Sequence, residues 1–147
     1  MNAKLHLVLI FLVVVAVATA LGSIIQTQIN LSALQALGAP ITFPIRLDAT
    51  VHDLLGFFPA FAAIMGTTLL LALPLAALTA RFIPAWRLPI YFVAGGLGLL
   101  AAFLIADAFA PMPTLIAATR SAGGTAAMML SGAVGGLLFA TLRRSRR

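Results

Sequence analysis

Few residues of this 147-residue chain can do acid–base, nucleophilic or metal chemistry. It contains three acids, all of them aspartates, together with two histidines and no cysteine. Metal centres and nucleophilic sites need several such groups at defined spacings, and no spacing here matches a known metal motif. A G-x-S-x-G nucleophile elbow and a glycine-rich phosphate loop before a helix are also missing from the sequence. We therefore predict that the protein is not an enzyme and that it uses no cofactor and no metal.

One group of ionisable residues is nevertheless a candidate functional cluster, because its members fall near the same ends of the apolar segments described below. The group consists of Arg46, Asp48, His52, Asp53, Asp107 and Arg120. Ionisable groups at the edges of membrane spans are costly, and they often mark ion paths, proton relays or ligand contacts. Asp107 is the strongest single candidate, since an acid at the C-terminus of a helix opposes the helix dipole.

Structural explanations for these residues stay open. Thr50 and Asp53 have the spacing of a helix-capping box, which would begin the second apolar helix. An ion pair between Asp107 and Arg120 would close the turn between the third and fourth apolar segments.

The elements that position these residues are four long apolar segments. The chain is 63% apolar and only 8% charged, whereas a soluble domain carries about 25% charged residues. The segments lie at residues 5–24, 54–80, 89–108 and 122–142. Each can cross the roughly 30 Å hydrocarbon core as a helix. We predict an all-α membrane protein, in which residues 1–147 form one integral membrane domain built as a four-transmembrane-helix bundle.

The first segment also resembles a cleavable signal peptide. Lys4 precedes its apolar run, and the small residues Ala18, Thr19 and Ala20 follow. The apolar stretch is longer than the usual core of a signal peptide, which favours a helix that is retained.

The positive charges predict the orientation of the bundle. Six arginines fall on the face that also holds both termini: Arg81, Arg87, Arg143, Arg144, Arg146 and Arg147. The positive-inside rule assigns that face to the cytoplasm, and the arginines are expected to contact anionic lipid head groups there. The net charge of +6 then needs no nucleic-acid partner. The bias towards Ala, Gly, Leu and Arg is typical of a GC-rich bacterial source, which predicts a bacterial inner membrane.

Small residues at four-residue spacing predict where the helices pack. They are Ala94, Gly98 and Ala102 in the third segment, and Gly132, Gly136 and Ala140 in the fourth. Such spacing lets transmembrane helices approach closely. The contact is either between the third and fourth helices or between two copies of the chain.

The segment at residues 25–53 is predicted to be extracytoplasmic. Apolar and polar residues alternate over residues 25–32 and again over residues 41–52, a pattern typical of half-buried strands. We predict a short β-hairpin, with Pro44 in an edge strand. Two alternatives stay open: the first helix continues past Gln26, or Leu31, Leu34 and Leu37 belong to a short interfacial helix ended by Gly38.

Two hypotheses for function follow. In the first, the protein is an interaction subunit whose outer loop and helix ends bind a partner protein, a lipid or a small apolar ligand, within a homo-oligomer or a larger membrane complex. The alternative is a small oligomeric transporter or channel, with His52, Asp107 and Arg120 at its outer mouth. The order of four spans and a long first outer loop is similar to the claudin layout, but the aromatic and paired-cysteine loop motif of claudins is absent.

Overall fold

The computed structural model describes residues 2–109 and 116–144. Within these ranges the chain forms five α-helices: α1 (Ala3–Ala36), α2 (Phe43–Gly56), α3 (Phe58–Phe82), α4 (Arg87–Phe109) and α5 (Ala122–Arg144). Two short 3-10 turns, Pro84–Trp86 and Ala117–Arg120, precede α4 and α5.

Four of these helices, α1, α3, α4 and α5, are long and apolar enough to cross a membrane. The prediction of an all-helical chain with four such helices is therefore confirmed. The start of α1, the end of α3, the start of α4 and the end of α5 lie together, and we call this side the arginine end. The opposite side holds the turn between α1 and α2, which form a helical hairpin, and we call it the hairpin end.

The predicted β-hairpin is wrong, because the described part of the chain contains no strand. Residues 25–32 continue α1, and residues 43–52 form most of α2. The alternative in which the first helix continues past Gln26 is the observed one. A short alternating run also places like residues at i and i+4, such as Ile25 and Ile29, and these lie on one side of a helix. Leu, Ala and Gln in this segment are good helix formers.

A tight turn at Gly38 separates α1 from α2. Gly38 has a φ of 91°, a left-handed conformation that glycine adopts without the steric cost of a Cβ. The Gly38 amide donates to the Gln35 carbonyl at 3.0 Å, and the Ala39 amide donates to the Leu34 carbonyl at 3.1 Å. This pair of bonds is the Schellman arrangement, and it satisfies carbonyls that the end of α1 would otherwise leave free.

Helices α2 and α3 follow each other almost without a break. The Phe57 amide donates to the Asp53 carbonyl at 2.8 Å, and the Phe61 amide donates to the Phe57 carbonyl at 3.0 Å. Pro44 and Pro59 lie in the first turns of α2 and α3, where a missing amide hydrogen costs nothing. Of the two prolines in the second predicted span, only Pro74 is therefore inside a helix.

The joined α2 and α3 run antiparallel to α1. Asp53 contacts Thr27 near one end of the pair, and Phe61 lies against Gly22 further along. Phe61 is fully buried and stacks on Phe57 and Phe103, with ring centroids 5.2 Å and 6.5 Å away. This aromatic group lies in the core where α1, α3 and α4 meet.

Helix α1 is longer than the helices α4 and α5 of the bundle. It has 34 residues, against 23 each in α4 and α5. At 1.5 Å per residue these lengths are about 51 Å and about 35 Å. The C-terminal part of α1, together with α2, therefore forms a helical hairpin at the hairpin end.

Candidate functional site

Polar side chains join α1 to α2, and we call this contact the polar seam. It is formed by Thr27, Gln28 and Gln35 of α1 and by Arg46, Thr50 and Asp53 of α2.

Arg46 is the central residue of the polar seam. Its Nη1 donates to Gln28 Oε1 at 2.9 Å, and its Nη2 donates to Gln35 Oε1 at 2.7 Å. Gln28 Nε2 in turn donates to Thr50 Oγ1 at 3.0 Å. The guanidinium therefore connects two positions of α1, about two turns apart, to α2 through planar, fixed donors.

Asp53 and Thr27 close the seam on the side nearer the bundle. Thr27 Oγ1 lies 2.7 Å from Asp53 Oδ2 and 2.9 Å from the Ser23 carbonyl oxygen, and Thr27 is only 2% exposed. Thr50 donates to the Arg46 carbonyl at 2.7 Å. Thr50 and Asp53 are thus interior residues of α2 and do not cap the start of a helix, so the capping interpretation is wrong.

A second side of α2, centred about 110° around the helix from the seam residues, is apolar and exposed. Phe43, Leu47, Val51 and Leu55 recur at four-residue spacing, and 50% to 77% of each residue is accessible. We call these four residues the apolar stripe. No residue of α2 is buried, because the helix packs through its polar side chains. This arrangement is the reverse of a soluble amphipathic helix, which buries its apolar side.

The six predicted cluster residues lie on three elements and differ in exposure. Arg46 and Asp53 lie in the polar seam, whereas Asp48 and His52 are exposed on the far side of α2. Asp107 is half-buried near the end of α4, and Arg120 is exposed at the end of the 3-10 turn before α5. Within the described ranges, no group of three or more His, Asp or Glu side chains could hold a metal ion.

Sequence reasoning missed a line of buried oxygen atoms on α1, which we call the oxygen column. It consists of Thr19, Ser23, Gln26 and Thr27, spaced along one side of the helix. The side-chain oxygens of Thr19, Ser23 and Gln26 are buried and have no hydrogen-bond partner. The i, i+4, i+8 spacing of Thr19, Ser23 and Thr27 was the sequence signal for this column.

Glycines make the closest helix contact, between α4 and α5. A Cβ on Gly95 would overlap the Gly132 carbonyl, and a Cβ on Gly136 would overlap the Tyr91 carbonyl. Gly132 and Gly136 thus lie against α4, while Ala140 accepts a bond from Arg87 Nη2 at 3.4 Å.

The small-residue stripe of α4 lies elsewhere. Ala94, Gly98 and Ala102 line a groove between α3 and α4, and a Cβ on Gly98 would be 3.1 Å from side-chain carbons of both Thr68 and Ala72. Gly95, one residue from that stripe, is the residue of α4 that meets Gly132.

Three of the predicted lipid-contacting arginines, Arg81, Arg87 and Arg143, line one cavity at the arginine end. Arg144 is the last residue of α5, and Arg146 and Arg147 lie outside the described residues.

The length and composition of the four long helices define a small multi-pass membrane protein. Comparisons with protein-family models, with curated proteins and with solved structures found no match to this chain.

Proposed function

We propose that this protein is a non-catalytic membrane subunit that binds the apolar surface of another membrane protein through the apolar stripe of α2. The observation that carries this proposal is the inverted packing of α2. Arg46, Thr50 and Asp53 hold the helix on α1, while four large apolar residues stay exposed on a second side. Contiguous exposed apolar surface rimmed by polar residues is typical of interaction sites.

The distance by which the α1–α2 hairpin extends beyond α4 and α5 supports a protein partner rather than lipid chains. Helix α1 is about 16 Å longer than α4 or α5 at 1.5 Å per residue, and α2 packs along this extra length. A bilayer centred on α4 and α5 leaves much of the stripe outside the hydrocarbon core, where apolar surface costs about 25 cal/mol per Å². Leu34 and Leu37, which are exposed in the same extended part of α1 and in the turn after it, enlarge this apolar surface.

The rigid seam also favours recognition. A polar network with its members bonded to each other fixes the position of α2 before a partner arrives. A surface fixed in advance loses less conformational entropy on binding. We assign the arginine end to the cytoplasm by the positive-inside rule, so the stripe faces the extracytoplasmic side.

The experiment compares native assemblies extracted from membranes without detergent. We expect wild type to migrate as an assembly larger than one chain, and Leu47→Ser combined with Val51→Ser to migrate as a smaller one. Asp48→Asn combined with His52→Gln is the matched control, because these two exposed residues share α2 but not the stripe. Equal migration of the wild type and both double variants would contradict the proposal.

Lipid burial of the stripe has a separate test. A Val51→Cys variant, labelled with an environment-sensitive dye, is reconstituted alone in lipid. Emission typical of water supports the proposal. Emission typical of hydrocarbon would mean that the bilayer already covers the stripe, and the interaction role would be abandoned.

Transport is the second candidate function, and the oxygen column favours it. Buried hydroxyl and amide oxygens are normally hydrogen-bonded, and those of Thr19, Ser23 and Gln26 have no partner. They lead along α1 to the carboxylate of Asp53, which contacts Thr27. Oxygen ligands with one acid suit water, protons or a hard monovalent cation.

A flux assay distinguishes the two functions. Under the transport hypothesis, proteoliposomes carry protons or Na⁺, and the flux falls in Ser23→Ala and Asp53→Asn. The control Thr67→Ala changes an exposed hydroxyl that bonds only within its own helix and should leave the flux intact. Wild-type proteoliposomes without flux would rule out transport of these ions.

A further inference from the structure

Three arginines converge on one cavity at the arginine end. Arg81 lies in the last turn of α3, Arg87 begins α4, and Arg143 lies near the end of α5. The cavity that they line has a volume of about 560 Å³ and is completed by Tyr91 and by small apolar residues. Three helices therefore bring three permanent positive charges to one space.

No acidic side chain of the described residues lies near this charge. The three acids of the chain are Asp48 and Asp53 on α2 and Asp107 near the end of α4, and all three lie towards the hairpin end. Arg87 is held by a bond to the Ala140 carbonyl at 3.4 Å and lies over the Tyr91 ring, 5.8 Å from its centroid. One arginine guanidinium group can donate two parallel hydrogen bonds to two oxygens of a phosphate group. An anion with a phosphate group matches this cavity.

An apolar groove continues from the cavity along the bundle surface. It is lined by Leu7, Val8 and Phe11 of α1 and by α3 residues that include Leu70 and Leu73, and its volume is about 360 Å³. Ala77 and Arg143 line both the groove and the arginine cavity. A ligand with a charged head and an apolar chain can therefore occupy the two spaces at once.

We propose that this end of the protein is a binding site for one anionic phospholipid, whose phosphate lies among Arg81, Arg87 and Arg143 and one of whose two acyl chains follows the groove between α1 and α3. The inference is independent of the proposed partner surface, which is at the other end of the molecule. A lipid held here bridges α1, α3, α4 and α5.

Native mass spectrometry of the wild-type protein tests the site directly. The protein is released from micelles in the presence of phosphatidylglycerol, phosphatidylcholine or glycerol phosphate, each at the same concentration. We expect one phosphatidylglycerol to stay bound at a level at least about tenfold above phosphatidylcholine, consistent with the attraction of basic residues for anionic lipid. Equal retention of the two lipids would overturn the proposal.

The glycerol phosphate arm separates a lipid site from a phosphate site. Glycerol phosphate carries the head-group chemistry without the acyl chains. Weak retention of it supports the contribution of the groove. Retention equal to that of phosphatidylglycerol would show a site for free phosphate compounds, and the lipid assignment would be wrong.

Two double variants separate a built site from general charge attraction. Arg81→Gln with Arg143→Gln removes two charges from the cavity, and Arg146→Gln with Arg147→Gln removes two from the chain end. We expect the first to lower phosphatidylglycerol binding at least about tenfold and the second less than about threefold. Equal losses would mean diffuse attraction and no defined site. Thermal unfolding in phosphatidylcholine verifies that both double variants are folded. If either variant is unfolded, the comparison of phosphatidylglycerol with phosphatidylcholine on the wild-type protein decides the proposal.

Discussion

Thr27 joins the two helices of the hairpin through a single hydroxyl group. Its oxygen lies within hydrogen-bond distance of both the Asp53 carboxylate and the Ser23 carbonyl, but the hydroxyl has one hydrogen to donate. The Ser23 carbonyl already has the amide hydrogen of its own helix as a donor, so the bond to Asp53 is the one that contributes to tertiary structure. Because Thr27 is 2% exposed, water cannot easily replace it.

Replacement of Thr27 by Val should therefore destabilise the hairpin. Valine keeps the shape and removes the donor, which leaves the Asp53 carboxylate without its partner. We expect the free energy of unfolding to fall by about 1–3 kcal/mol. Chemical unfolding followed by circular dichroism measures it. Thr67→Val is the control, since the Thr67 hydroxyl bonds only to Ala63 of its own helix; a similar loss in both variants would contradict the role given to Thr27.

Arg46 supports a second prediction for the seam. Arg46→Met keeps much of the side-chain length but removes both bonds to Gln28 and Gln35. We expect faster amide hydrogen exchange over residues 43–50, and a loss of stability of about 1–2 kcal/mol. Asp48→Asn, on the exposed side of α2, should change neither quantity. Unchanged exchange in Arg46→Met would mean that the seam does not hold α2 in place.

At the scale of the helices, close approach between α4 and α5 depends on the absence of side chains. Membrane helices gain little from hydrophobic association, so they associate through packing of small residues. Gly95, Gly132 and Gly136 allow the two backbones to touch. The repeat at Gly132 and Gly136 was visible in the sequence. On α4, however, the residue that meets Gly132 is Gly95 and not its predicted neighbour Ala94. A shift of one residue turns a helix side by about 100°, and only the packed structure fixes that angle.

Gly95→Ala tests this contact. The added Cβ would overlap the Gly132 carbonyl, which is backbone and cannot rotate away. We expect a loss of about 2 kcal/mol or more in the free energy of unfolding. Gly66→Ala is the matched control inside α3, because its Cβ would meet Val15 Cγ1 at 3.8 Å, an ordinary contact. That substitution should be neutral or gain up to about 1 kcal/mol from helix propensity. Destabilisation of equal size in both variants would reject the close-contact explanation.

At the scale of the whole molecule, the two ends differ in charge and in shape. The arginine end carries Arg81, Arg87 and Arg143, while the hairpin end carries the acids and the projecting α2. This asymmetry predicts one orientation in the membrane, with the arginine end in the cytoplasm.

Introduced cysteines test the orientation, and no native cysteine is labelled because the sequence contains no cysteine. Leu37, at the tip of the hairpin, is 85% exposed, and Ala85 is exposed in the link between α3 and α4. A membrane-impermeant maleimide added to intact cells should label Leu37→Cys and not Ala85→Cys. Both variants should react after the membrane is permeabilised. Labelling of Ala85→Cys alone in intact cells would reverse the assignment.

The sequence alone is enough to predict four helices that can span a membrane and one basic end that holds six of the eight arginines. These properties depend on composition and on the lengths of apolar runs, which are local quantities. Long-range packing settles three further properties: residues 25–36 and 43–56 are helical, Arg46 and Asp53 join α1 while Asp48 and His52 do not, and the arginines of α3, α4 and α5 line one cavity. In α2 the polar side chains form the contact with α1 and the large apolar ones of the apolar stripe are exposed, so polarity does not predict which side of this helix is in contact. Which side of a helix is buried depends on the partner that it meets, and that partner is distant in the sequence.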